Sequence, residues 1–283
     1  MKTLKYRLIL TLLISFSLIF TSAYAASEFE WRVLLHFAGK QRMLTQKMSK
    51  EILLMAKDIH FKENKRNLHK SSIHFQWTLD GLRHGSKRLR LIKTENVAIL
   101  EQLTKVAQLW KNFQNLIKSA LLGEISSAFL KELAAQNLQL LLEMDKAVKM
   151  YEKESALTLA QGRTINLAGK QRMLIQKMAK EILLIANNIA PEENQDNLKK
   201  TITLFDRTLK GLLKGDLGLG LQCTRNGAIR HQLRFIQKSW KNYKSLLTKK
   251  QHSQEDLIKI ADFNMPLLKQ MDNAVKMYVT FMK

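Results

Sequence analysis

Two arginines of this chain stand in almost the same setting. The string Ala38-Gly39-Lys40-Gln41-Arg42-Met43-Leu44-Thr45-Gln46-Lys47-Met48 returns as Ala168-Gly169-Lys170-Gln171-Arg172-Met173-Leu174-Ile175-Gln176-Lys177-Met178. In each copy a glycine precedes the arginine by three residues and a glutamine follows it by four: Gly39, Arg42 and Gln46, then Gly169, Arg172 and Gln176. Steps of three and four keep side chains on one face of a helix. Glycine on such a face lets a second helix backbone come close. An arginine held in that seam needs its charge matched, and its planar fork of donors suits carboxylates and planar oxyanions. The chemistry expected of these six residues is the binding of a small anion. A plainer reading of the same spacing is an ion pair within the bundle, with Glu51 or Asp145 as partner.

Other chemistry finds little support. His60, His69, His74 and His84 form a loose group, but no metal-ligand spacing recurs in the second copy, so no metal is expected. There is no nucleophile elbow, no phosphate-cradling glycine loop, and no pair of titratable groups that repeats with the motif. The sequence reads as non-catalytic and free of cofactors. Met43, Met48, Met144 and Met150 read as core filler, and Trp110 and Trp240 as core anchors.

The motif belongs to a larger duplication. Between 38–59 and 168–189, 17 of 22 positions are identical at an offset of 130 residues, too long for a solenoid repeat of roughly 20–50 residues. Leu44, Met48, Ile52, Met55 and Ile59 follow helical spacing and mark a core stripe on a helix over Glu28–Ile59. On the other side of that helix fall Leu35, Gly39, Arg42, Gln46, Ser49 and Leu53. A second helix carries Phe75, Leu79 and Leu82, matched by Phe205, Leu209 and Leu212. A loop follows, Gly85–Glu95 in the first copy and Gly215–Gly227 in the second. The third helix is marked by Trp110-Lys111-Asn112-Phe113 and Trp240-Lys241-Asn242-Tyr243. The fourth is marked by Met144-Asp145-Lys146-Ala147-Val148-Lys149-Met150-Tyr151 and by Met271-Asp272-Asn273-Ala274-Val275-Lys276-Met277-Tyr278, now offset by 127, which assigns a three-residue deletion to the preceding turn. Pro266 is expected to kink the last helix or restart it. With no sustained two-residue alternation, the fold expected is all-α: two tandem up-down four-helix bundles, 26–155 and 156–283. The stretch between Tyr151 and Gly169 has no proline and one glycine, so a continuous long helix is expected to join the bundles end to end.

Charge and targeting narrow the setting. Residues 1–25 read as a signal peptide: Lys2, Lys5 and Arg7, then apolar Leu8–Phe20, then the small-x-small site Ala23-Tyr24-Ala25. Cleavage after Ala25 is expected, with a retained anchor as the alternative. The protein is then exported, periplasmic and soluble. The formal charge of +23 speaks for anionic partners, but export and the even spread of lysines argue against nucleic acid. The lone Cys223 excludes an intramolecular disulfide, so the core must hold the fold.

The residues from Ile165 to Leu174, followed by Gln176-Lys177-Met178-Ala179-Lys180, resemble the PilJ-type sensor domain of type IV pili chemotaxis transducers. That domain is related to the periplasmic domain of nitrate/nitrite sensor kinases. The first copy matches from Ala38 onward, with His36-Phe37 where the family has Asn-Leu. The resemblance implies a periplasmic four-helix sensor bundle in each half. In the nitrate-sensing relatives the motif arginine meets its twin across a dimer interface and clamps one nitrate; that arginine falls on Arg42 and Arg172.

Two functions follow as expectations. The first is an exported ligand-binding sensor that recognises a small anion, nitrate- or nitrite-like or a carboxylate, and relays its state to a membrane-bound sensor kinase or chemoreceptor. Such domains normally precede a transmembrane helix and a signalling module, whereas this sequence stops at Lys283. The motifs meet either across a homodimer through the helix-one faces or within one chain as a pseudo-dimer; a continuous joining helix favours the homodimer. The second function is a non-catalytic envelope spacer that docks on anionic surfaces through its lysines.

Overall fold

The computed structural model describes residues 26–282, so the leader expected over 1–25 lies outside the described residues. The described residues form eight α-helices: α1 (Glu28–Ala56), α2 (Phe61–His84), α3 (Val97–Leu122), α4 (Ser127–Glu154), α5 (Leu159–Ala186), α6 (Pro191–Lys214), α7 (Gly227–Leu247) and α8 (Gln254–Phe281). The described residues hold no strand beyond two isolated bridges, Ser86 with Leu91 and Asp216 with Leu221. The all-α expectation holds, and α1–α4 and α5–α8 each form an up-down bundle.

The helix starts follow local chemistry. Ser27 caps α1 and accepts from the Glu30 amide, while Glu30 reaches back to the Ser27 amide, a reciprocal box that satisfies two otherwise orphaned donors. Pro191 opens α6, where its missing N–H is no loss. In the turns before α2 and α6, His60 and Ala190 take left-handed conformations. α8 runs through Pro266 as one element, so the proline does not restart the helix. The three-residue deletion falls in α7, which has 21 residues against 26 in α3, while the turn after it is longer.

The continuous joining helix is not present. α4 ends at Glu154, and Thr158 caps α5 in a second reciprocal box with Gln161. Ser155–Thr158 lets the chain reverse, so the bundles lie side by side instead of end to end. α1 packs along α5, and the two run parallel. At one end Arg32 of α1 donates to the Met282 carbonyl beyond α8. At the other, Gln254 of α8 donates to the Lys57 carbonyl at 3.0 Å and His60 pairs with Asp262.

This packing explains why α1 and α5 are buried on nearly every side. One face of each fills its own bundle: Met48 and Ile52 in the first, Met178 and Ile182 in the second. The opposite face, carrying Gly39 and Arg42 or Gly169 and Arg172, is closed by the other bundle. The helix-one faces are thus spent within the chain. The homodimer expected through them is replaced by the intrachain pseudo-dimer, because the short capped linker permits a reversal that a single long helix would forbid.

Candidate functional site

The site lies where α1 and α5 cross. Cβ atoms on a helix tilt towards its N-terminus, so Arg42 reaches back by about two turns and meets Asn166 on α5. Arg172 does the same and meets His36 on α1. Arg42 Nη2 donates to Asn166 Oδ1 at 2.7 Å and to the Asn166 carbonyl at 3.3 Å. Arg172 Nη2 donates to the His36 carbonyl at 3.0 Å, and its Nη1 lies 3.5 Å from His36 Nδ1. Each Nη1 is turned to an aspartate of its own bundle: Arg42 to Asp145 and Arg172 to Asp272, both at 2.6 Å. The intra-bundle pairing with Asp145 and the approach to a seam are therefore both present, on different nitrogens of one guanidinium. Glu51 pairs with Lys47 instead.

The glycines leave room for the guanidiniums. A Cβ on Gly39 would stand 3.5 Å from Arg42 Nη2 and 3.7 Å from Arg172 Nη2, so both guanidiniums share the space above one glycine. Gly169 sits 3.6 Å from Arg172 Nη2 by the same measure. Arg42 and Arg172 are 1% and 0% exposed, and Nε of each is buried without a hydrogen-bond partner. Of the six residues expected to bind, the structure gathers Gly39, Arg42, Gly169 and Arg172. Gln46 and Gln176 lie one turn further along and point elsewhere, donating to Asn137 at 3.0 Å and Asn264 at 2.7 Å.

The electrostatics favour anions. Burial alone would push the Asp145 carboxyl up, but Arg42 and Lys149 outweigh it and hold it at about 2. Asp272 is held lower still, by Arg172 and Lys276 against its own burial. Burial, then Arg172, brings His36 down to about 3. The imidazole is therefore neutral and presents Nδ1 as an acceptor. Lys40 feels Asp272 and Arg172 of the other bundle, and Lys170 feels Asp145 and Arg42. Both lysines are lowered, first by burial. Asp145 and Asp272, with Glu152 behind Asn166, thus face Arg42, Arg172, Lys40, Lys170, Lys149 and Lys276, a local excess of positive charge.

A second layer, absent from the sequence reading, ties the bundles together one turn below. Lys50 of α1 donates to Asn264 of α8 at 3.1 Å, and Lys180 of α5 donates to Asn137 of α4 at 3.0 Å. Each asparagine also anchors its own bundle, Asn137 to the Thr45 carbonyl at 2.8 Å and Asn264 to the Ile175 carbonyl at 3.0 Å. Neither lysine has a carboxylate partner, and burial brings both down to about 8. The signal was available. Asn137 and Asn264, like Asp145 and Asp272, are identical at offset 127, and Lys50 and Lys180 lie inside the longest repeat.

Among the described residues no group of histidine, cysteine, aspartate and glutamate could hold a metal ion, and no helix is long and apolar enough to cross a membrane. No curated protein and no solved structure matches the chain. The family model for PilJ, the type IV pili methyl-accepting chemotaxis transducer N-terminal domain, matches twice, over residues 35–136 and 158–263. With most of its length covered by two matches to a chemotaxis-transducer sensory domain, and with two bundles built alike, the chain belongs to the PilJ family.

Proposed function

We propose that this protein is an exported sensor that binds one small oxyanion or carboxylate between Arg42 and Arg172 and passes its occupancy to a membrane-bound sensor kinase or chemoreceptor. The observation that carries this reading is the convergence of two buried guanidiniums above Gly39, each with an unpartnered Nε and an Nη2 aimed into the seam. Like charges brought together in a dry seam repel unless a counter-charge joins them, and the two aspartates engage only the outer Nη1 atoms. An anion entering the seam takes the Nη2 donors now held by Asn166 and His36 and loosens the contact of α1 with α5. That displacement turns binding into a change of packing between bundles.

Calorimetry with nitrate, nitrite, sulfate and small carboxylates tests the reading. The double variant Arg42→Lys with Arg172→Lys keeps a positive partner for each aspartate but loses the fork. It should abolish binding of any anion that the unmodified protein takes up. Unchanged affinity in that variant, or no uptake of any of these anions by the unmodified protein, refutes the clamp.

A further inference from the structure

The two ends of the paired bundles differ in kind. One end carries the starts of α1, α3, α5 and α7, the ends of α2, α4, α6 and α8, and both long loops, 85–96 and 215–226. Here Leu217 is 99% exposed, Leu159 85% and Val97 68%, with Phe281 and Phe29 about half exposed. Among the described residues at the other end, only Leu122, at 77%, is a large apolar residue more than half exposed. Charge divides the same way. The first loop exposes Lys87, Arg88, Arg90 and Lys93 against Glu95, and Lys214 and Arg225 flank the second. The opposite end exposes Lys62, Lys65, Arg66, Lys249 and Lys250 beside Asp58, Glu63, Glu124, Glu192, Glu193 and Glu255, close to balance. The molecule is polarised along its helices, with an excess of cations and bare aliphatic tips at one end and nearly balanced charge at the other.

The tips are held in place. Leu217 opens a 3-10 turn fixed at its base by Asp216, which accepts from Arg207 Nε at 2.8 Å and caps the turn through the Leu219 amide at 3.0 Å. Arg163 of α5 donates to the Leu219 carbonyl at 3.1 Å, which brings the first turn of α5, with Leu159, beside that loop. In the first bundle Arg88 stacks on Trp77 at 4.5 Å. Clefts open beside both loops, of ≈ 650 Å³ bordered by Arg225 and Phe281 and of ≈ 760 Å³ bordered by Phe29, Lys87 and Arg90.

From this we propose that the loop end is a docking surface for an anionic lipid bilayer. Bare aliphatic tips set among arginines and lysines match the lipid interface, where apolar groups sink below the headgroups and cations remain at the phosphates. Charge complementarity fixes the direction, because the loop end joins its bare aliphatic tips to an excess of exposed cations and the far end does not. The bundles stand upright, with the arginine seam parallel to the membrane normal and the loops on the lipid. This surface is independent of the anion seam, and either can fail without the other.

Cosedimentation of the 26–283 chain with vesicles of phosphatidylglycerol and phosphatidylethanolamine, and with neutral phosphatidylcholine vesicles, tests the surface. Binding to the anionic vesicles should fall steeply between 50 and 300 mM salt, and neutral vesicles should bind weakly. Lys87→Gln with Arg90→Gln should lower partitioning about five-fold per charge, hence about twenty-five-fold together. Leu217→Asp with Leu159→Asp should abolish it, while Leu122→Asp at the far end should leave it unchanged. Circular dichroism on each variant keeps misfolding separate from loss of docking. Absence of binding to anionic vesicles at low salt overturns the proposal. Equal loss in Leu122→Asp or equal binding to neutral vesicles does the same, and both would point to a protein partner or to unspecific adsorption.

Discussion

Replacing Lys50 by methionine should stabilise the protein near neutral pH, although it deletes a hydrogen bond between the bundles. The buried ammonium has no carboxylate partner, and burial lowers it from 10.5 to about 8. One pKa unit corresponds to about 1.4 kcal/mol, so holding the charge inside costs roughly 3 kcal/mol at pH 7. The bond to Asn264 returns about 1 kcal/mol in the uncharged comparison. Its loss orphans nothing, because Asn264 Oδ1 keeps the Gln176 amide at 2.7 Å and Asn264 Nδ2 keeps the Ile175 carbonyl and the Tyr243 hydroxyl. Methionine fills a similar volume, leaving a net gain of about 2 kcal/mol. The pH dependence is a second readout. Between about 8 and 10.5 the unfolded chain keeps a proton that the folded Lys50 has lost. Stability therefore rises with pH across that window, by up to about 1.4 kcal/mol per unit for each such lysine. Lys180, also lowered to about 8, doubles the slope. Tyr151 and Tyr278, raised to about 12 by burial, act in the opposite sense only above pH 10. Urea denaturation at pH 7, 8, 9 and 10 should show the rise in the unmodified protein, a smaller one in Lys50→Met and the smallest in the Lys50→Met, Lys180→Met double variant, where the lowered Lys40 and Lys170 keep a residual slope. A single variant destabilised by more than about 1 kcal/mol at pH 7, with the slope unchanged, would refute the argument.

Removing the asparagine instead of the lysine should do the reverse. Asn264→Leu strips acceptor or donor from Lys50, Gln176, the Ile175 carbonyl and Tyr243 at once, and should cost about 3 kcal/mol or more in urea denaturation. Gly39→Ala meets ordinary contacts of 3.5 and 3.7 Å. It should gain roughly 0.5–1 kcal/mol of helix stability yet weaken anion uptake in calorimetry, because the methyl group occupies the gap. In acid, stability should be lost as pH falls from about 4 through 2. Asp145 and Asp272 are held below the usual carboxylate range by their arginines, so the unfolded chain takes up protons first. A flat thermal midpoint between pH 4 and 2 would contradict those pairs.

Much of this architecture is written in the sequence, and the parts that are not share a cause. Helix spans and loops follow from periodicity: α2 ends at His84 and α6 at Lys214, against loops read from Gly85 and Gly215. The error at the joint came from treating the lack of proline and glycine as continuity. Thr158-x-x-Gln161 is a helix-start signal in its own right, and one capped turn is enough to reverse the chain. A continuous joint leaves the outward face of α1 without a cover from its own chain, which is why it favours a second copy over the intrachain pseudo-dimer. The arginines were legible as unusual, but their partners were not. Asn166 and His36 lie six residues before the counterpart arginine on another helix, a relation set by side-chain tilt and packing. Lys50 looked like one more surface lysine, because nothing in a single helix shows which of its charged residues another bundle will cover.

Joining both halves of a twofold site in one chain lets the halves diverge, and here they have. Arg42 Nη2 is held at 2.7 Å by the carboxamide of Asn166, which one side-chain rotation can withdraw, leaving only the longer 3.3 Å bond to the Asn166 carbonyl; that carboxamide is itself held by Glu152. Arg172 Nη2 is held by the His36 carbonyl, part of the α1 backbone, which leaves only if the helix moves. An anion entering the seam therefore meets a yielding side and a stiff side. Arg42 should carry most of the first contact, and Arg172 should answer by shifting α1. Calorimetry should show Arg42→Lys losing more affinity than Arg172→Lys, by about ten-fold, the worth of one charge-assisted bond of roughly 1.4 kcal/mol. Asn166→Ala, which leaves the Arg42 donor only its longer 3.3 Å bond to the backbone carbonyl, should bind several-fold more tightly than the unmodified protein. Equal losses in the two lysine variants, with no gain in Asn166→Ala, would mean that the halves still act as a symmetric pair and that the His36-for-Asn difference is silent.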